Sequence, residues 1–172
     1  MSGCGCGCDC NIEVQAGEKG DTGATGETGP AGPSGGLPDV LIGTTANVTL
    51  SADDTGGILY PNRSAGIVYT LPDQPAAGTN YTVEPKATAG AGPYVINAGV
   101  AGLDVIDGFV YMKVAGAPEV QYLATNATQI SMNGTTTGGI IGTSFKLVYD
   151  GVDTWQVSGY MFGSGAIATP FS

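Results

Sequence analysis

The chain has 172 residues, 30 of them glycine, with no histidine and five basic against fifteen acidic side chains, a formal charge of −10. That length suits one core-bearing domain with extensions rather than two full domains. The acidic balance repels phosphate backbones and excludes the Lys/Arg-driven counterion release behind nucleic-acid binding. The missing imidazole excludes histidine-based acid–base or nucleophile chemistry.

Residues 1–16 form the first unit. Cys4, Cys6, Cys8 and Cys10 alternate with Gly5, Gly7 and Asp9 and are the only cysteines of the chain. In an extended strand all four side chains share one face. Three arrangements meet this pattern. Interchain disulfides would lock the register of neighbouring chains; a thiolate-bound metal or iron–sulfur centre would do the same; or free thiols belong to a peptide that anchors in another protein. The usual zinc spacing C-x2-4-C is absent. MSGCGCGCDC shows neither a basic nor an apolar signal region, and no apolar run approaches the ~20 residues that span a bilayer. The expectation is a product made in the cytoplasm, with no membrane span.

Residues 17–36 follow a strict period of three. Gly17, Gly20, Gly23, Gly26, Gly29, Gly32 and Gly35 frame the triplets GEK-GDT-GAT-GET-GPA-GPS. Only glycine fits where three polyproline-II-like strands meet on one axis, so the period predicts a collagen-like triple helix. One such strand buries nothing by itself, and a homotrimer follows. Extended at ~3.1 Å per residue, the stalk reaches about 55 Å. Lys19 and Asp21 flank Gly20, so the lysine of one chain can meet the aspartate of the next; an exposed pair of this kind is worth only ~0.5 kcal/mol. Gly36 breaks the period and Leu37-Pro38 ends it. Six triplets are few for a free triple helix, so registration has to come from outside the stalk.

Residues 37–172 read as an all-β domain, expected as an antiparallel β-sandwich of jelly-roll type that registers the trimer and projects from it. Short runs rich in Val, Ile, Tyr and Thr predict strands at 48–50, 57–61, 66–72, 81–85, 94–98, 109–115, 120–124, 144–150 and 155–162, separated by turn residues. No window sustains helical periodicity. Trp155 and Val157 are expected to face the core and Gln156 and Ser158 to face out. Pro72 cannot donate to a ladder and is expected to close its strand at a sheet edge. Asp150-Gly151-Val152-Asp153 predicts a hairpin loop of four or five residues.

Two stretches carry a resemblance. TGGILYPNRSAGIVYTLPDQPAAGTNYTVEP places a strand, a second strand ending in T-L-P, a glycine-containing loop and a third strand in succession. FKLVYDGVDTWQVSGY gives a strand, a D-G turn and a strand opening on tryptophan. Over residues 45–162 the chain resembles the small β domains of tailed-bacteriophage fibres and capsid appendages, where collagen-like stalks joined to trimeric β tips are a common design. The resemblance implies a non-enzymatic virion structural protein, a short head decoration or accessory tail fibre on the particle exterior. Its N-terminal segment would dock on capsid or tail proteins, and exposed loops such as 87–93 and 134–139 are left to contact a host glycan or protein, another fibre or nothing at all. The competing class is a cellular collagen-like surface or spore-coat filament.

A third class, a carbohydrate-active depolymerase, would need paired carboxylates in a groove. The pairs on offer are Asp53/Asp54, Asp104/Asp107 and Asp150/Asp153. Two of them sit in glycine-rich turns, where Asp is expected for its own backbone hydrogen bonding. Calcium at Asp150 and Asp153 would need more oxygens than that loop supplies. The glycine-rich run 134–142 is not followed by a helix signal, which removes a phosphate-cradling reading. Asn-x-Ser/Thr occurs at Asn47, Asn62, Asn80, Asn126 and Asn133 and reads as a by-product of Asn/Thr-rich strands.

Overall fold

The computed structural model describes residues 40–43, 46–99 and 102–172, with 40–43 given by backbone alone. The cysteine segment 1–16 and the glycine-period segment 17–36 lie outside the described residues. Among the described residues the chain forms β1 (Val40–Gly43), β2 (Val48–Thr49), β3 (Ile58–Pro61), β4 (Ile67–Thr70), β5 (Asn80–Val83), β6 (Tyr94–Asn97), β7 (Val105–Val114), β8 (Val120–Ala127), β9 (Gln129–Met132), β10 (Ser144–Tyr149) and β11 (Thr154–Gly163). Helical structure there is confined to one 3₁₀ turn, Ala52–Asp54. The all-β expectation holds, and each of the nine expected strands is present within a few residues of its expected ends.

The strands form a seven-stranded sheet, β1-β3-β5-β10-β11-β7-β8, and a four-stranded sheet, β2-β4-β6-β9. Expected as antiparallel, the sandwich is instead mixed: five of the nine ladders among the described residues are parallel. The cause is the route of the chain. The first six strands alternate between the sheets, so each meets its sheet neighbour only after a full winding and runs in the same direction. A hairpin would have reversed it.

Successive windings stack at their corners. Gly90 N–H and Gly92 N–H both donate to Ser64 O, at 3.0 and 3.2 Å. A Cβ on Gly66 would stand 2.6 Å from Pro93 O, and one on Gly92 would stand 2.4 Å from Ala65 O. The S-A-G and G-A-G-P turns are therefore glycine-rich because two backbones touch there. From β7 onward the chain closes both sheets. The β10–β11 hairpin inserts between β5 and β7, and β9 joins the smaller sheet beside β6.

Alternation along the strands sends one set of side chains into a single core. Leu59, Tyr81, Leu147, Trp155 and Val157 come from the larger sheet; Ile67, Tyr69, Tyr94, Ile96 and Ile130 come from the smaller. Each such large side chain contributes ~1.5–3 kcal/mol when fully buried. Trp155 sits at the centre, its ring 5.1 Å from that of Tyr149 and 5.8 Å from that of Tyr81. Gln156 and Ser158 face out, as the alternation requires. The loop between β10 and β11 has the four residues 150–153. Pro72 follows the tip of β4, which lies inside the smaller sheet between β2 and β6, so the proline ends a strand without marking an edge.

The two sheets end differently. Along β9 the C-terminal tail covers the edge: Ser131 N–H donates to Pro170 O, and Thr128 and Gln129 N–H donate to Ser172 O. Phe171 forms a bridge with Ile130. The larger sheet ends on β8, eight residues long and mostly exposed.

Candidate functional site

Four of the six carboxylates singled out by sequence, Asp54, Asp104, Asp107 and Asp150, accept from backbone amides. Ser51 N–H donates to Asp54 Oδ2 at 2.9 Å and Asp53 N–H to Ser51 Oγ at 3.2 Å, a capping box on the 3₁₀ turn. Asp107 accepts from Asn126 N–H at 2.6 Å. Asp150 Oδ1 accepts from the amides of Val152, Asp153 and Thr154. These bonds hold its carboxyl below the usual range, because they favour the charged form. Asp153 accepts from the Thr154 hydroxyl at 2.8 Å. Asp104 is buried beneath Tyr149, away from the other carboxylate of its pair, which faces β8. Among the described residues no group of three or more Cys, Asp or Glu side chains is placed to hold a metal ion. Cys4, Cys6, Cys8 and Cys10 lie outside the described residues.

The loops 87–93 and 134–139 are brought together. Ala89 N–H donates to Gly139 O at 3.1 Å. A Cβ on Gly134, whose φ is +77°, would collide with Ala89 O. Asn133 Oδ1 shapes the second loop by accepting from the amides of Thr135, Thr136 and Thr137 at 2.9–3.1 Å. Gly134 N–H closes the loop onto Gly138 O at 2.7 Å. The pair forms one built, threonine-rich surface that presents hydroxyls and backbone polar groups.

A shallow open groove of about 280 Å³ lies between residues 84–86 and 141–144. Lys86 overhangs it, paired with Glu84 at 3.7 Å and stacked 4.1 Å from the Tyr60 ring centroid. The groove offers one charge of each sign and little enclosure.

Sequence reasoning missed a different surface. On the outer side of the larger sheet, the Tyr111 and Tyr160 rings stack with centroids 5.6 Å apart, and Phe109 meets Tyr111 edge-on at 5.5 Å. Leu123, opposite Phe109 in the ladder, is 68 % exposed and Tyr160 is 50 % exposed. Strand pairing sets this row: Tyr160 stands opposite Tyr111, and Phe109 opposite Leu123. The signal was in the sequence. Phe109-Val110-Tyr111-Met112 and Tyr160-Met161-Phe162 are apolar at both parities, whereas a strand with one face in water alternates.

No known family model matches the sequence, and neither a curated protein nor a solved structure matches the chain. Among the described residues no helix is long and apolar enough to cross a membrane.

Proposed function

We propose that this chain is a non-enzymatic, homotrimeric structural protein of a tailed-bacteriophage particle. It serves as a short head decoration or accessory tail fibre, anchored through its cysteine-bearing N-terminal segment. The observation that carries the reading is the run of seven glycines at period three, directly ahead of a β-domain. That period has a purpose only in a three-chain helix. Carboxylates committed to capping and turn formation, rather than gathered in a cleft, support a structural over a catalytic role. The joined loops 87–93 and 134–139 are the surface through which the appendage would meet a host glycan or protein.

Two measurements test it. The native mass of the full chain, with and without reductant and chelator, is expected to be that of three chains. Sensitivity to reductant would assign the cysteines to interchain disulfides, and sensitivity to chelator would assign them to a metal centre. Antibody against the β-domain is expected to detect the protein on the outside of purified particles; its absence from them sinks the virion placement.

A further inference from the structure

We propose that the outer face of the larger sheet at β7, β8 and β11, centred on Phe109, Tyr111, Leu123 and Tyr160, is the surface by which copies of this chain pack together. The inference deepens the homotrimer reading and rests on it. Three features favour a second copy as the occupant.

The first is the concentration of apolar surface. Phe109, Leu123 and Tyr160 are 36, 68 and 50 % exposed and sit side by side. Of the other large exposed apolar side chains among the described residues, Leu103, Ile141 and Val152 lie singly on connections and Val120 opens β8. Scattered residues need no explanation, but a contiguous aromatic row does.

The second is charge. Residues 41–172 carry nine acids and four bases, so most of the domain surface repels its own copy. On the outward positions of β7, β8, β10 and β11 the one acid is Asp107, which is two residues from Phe109 and is bonded to Asn126 N–H. Those positions hold two of the four bases, Lys113 and Lys146. Like-charge repulsion is therefore weakest where the apolar row lies.

The third is the chain itself. The glycine period calls for two further copies and ends at Gly35, five residues before β1. At these exposures the face alone offers on the order of 300 Å² of apolar side chain, less than the ~800 Å² per partner of a stable interface. Tethering three domains to one short stalk raises their effective concentration and makes so small a face sufficient. Conversely the face supplies the registration that six triplets lack. β8 adds to the case, because an exposed edge strand eight residues long is a hazard unless something covers it.

The test compares the full chain with its Leu123→Glu/Tyr160→Glu variant in reductant and chelator. The readouts are native mass and the near-ultraviolet signal of Trp155. The unmodified chain is expected to run as three chains. The variant is expected to fall to one third of that mass with the Trp155 signal intact. A variant that stays three-chained overturns this interface and leaves the homotrimer reading standing. An unmodified chain that is monomeric in reductant and chelator overturns this interface, and one that is monomeric without them as well overturns the homotrimer reading too. Should the variant misfold, amide exchange of the unmodified chain decides: residues 120–127 are expected to exchange slowly in the assembly and faster at dilutions that dissociate it. Equal exchange at both concentrations overturns the proposal.

Discussion

The hydroxyl of Tyr149 lies 3.3 Å from Oδ1 of Asp104, a carboxylate only 1 % exposed. The same hydroxyl is 2.7 Å from Val152 O, so its single proton is shared between the two acceptors. Gln74 N–H donates to Asp104 Oδ2 at 2.9 Å and holds Gln74 at φ +43°, in the left-handed region. One buried carboxylate thus ties the 73–75 corner, the approach to β7 and the 150–153 loop together. Tyr149→Phe is expected to cost about 1–3 kcal/mol, the penalty of leaving a buried acceptor short of a donor. It should appear as a lower urea midpoint at unchanged slope.

The buried tyrosines make the fold sensitive to alkali. Burial, with Asp104 second, pushes the Tyr149 hydroxyl up to about 12. Burial also raises Tyr69, Tyr81 and Tyr94 above the ordinary value of 10.0. Between pH 10 and 12 the unfolded chain has lost protons that the folded chain retains, so stability falls as pH rises. The slope is about 1.4 kcal/mol per pH unit for each tyrosine held protonated. The tyrosinate absorbance of these four buried tyrosines is therefore expected to appear together with unfolding, in one cooperative step beginning above pH 10. Full tyrosinate absorbance while the fold persists would contradict it.

Asp150 works in the opposite direction of pH. Its carboxyl is held low by the amides of the loop it organises, so the stability it lends is present above the ordinary carboxylate range and lost as pH falls through its lowered value. Asp150→Ala is expected to lower stability at neutral pH and to leave it unchanged at the acid limit. Chemical unfolding at neutral and at strongly acidic pH measures both.

Local signals made most of the strands legible, because β-branched and aromatic runs between glycine-rich turns need no tertiary knowledge. The segment of β9, Gln129-Ile130-Ser131-Met132, escaped because it is four residues long with two polar outward positions, and its pairing with β6 is made across 31 residues. Parallel pairing escaped for a related reason. Thr70 stands beside Asn97 only because residues 71–79 carry the chain over to β5 in the other sheet and residues 84–93 bring it back. Nothing within a strand records that journey. Asp54 and Asp150 are legible as cap and turn residues from their glycine-rich context, whereas closeness in sequence does not bring the Asp104 and Asp107 carboxylates together. Asp107 points toward Asn126 and Asp104 toward Tyr149.

Backbone contact between β10 and β11 rests on a glycine. Gly159 has φ +149°, and a Cβ there would stand 2.4 Å from Phe145 Cα and 2.6 Å from Ser144 O. Neither atom can move without parting the two strands. Gly159→Ala is expected to cost about 3 kcal/mol or more, combining backbone strain with lost ladder bonds. Gly78, at φ +86° with open space around it, serves as the comparison. Gly78→Ala carries strain alone, about 1 kcal/mol. Thermal or urea unfolding of the two variants separates steric exclusion from conformational strain.

The stalk and the domain are expected to fail separately. Gly26 is the central glycine of the seven, with three glycines of the period on each side. In a triple helix its Cα faces the crowded axis, where a single methyl group disrupts packing of all three strands. Gly26→Ala is therefore expected to abolish the polyproline-type circular-dichroism signal of the stalk and to expose 17–35 to protease. The cooperative unfolding of the β-domain, reported by Trp155, should not move, because the core formed by the described residues is built from side chains between Leu50 and Met161. If Gly26→Ala and Thr25→Ala behave alike, the segment is a flexible linker, since a linker has no reason to distinguish its third positions from the others. That outcome would remove the physical requirement for three chains and with it the central support for an appendage.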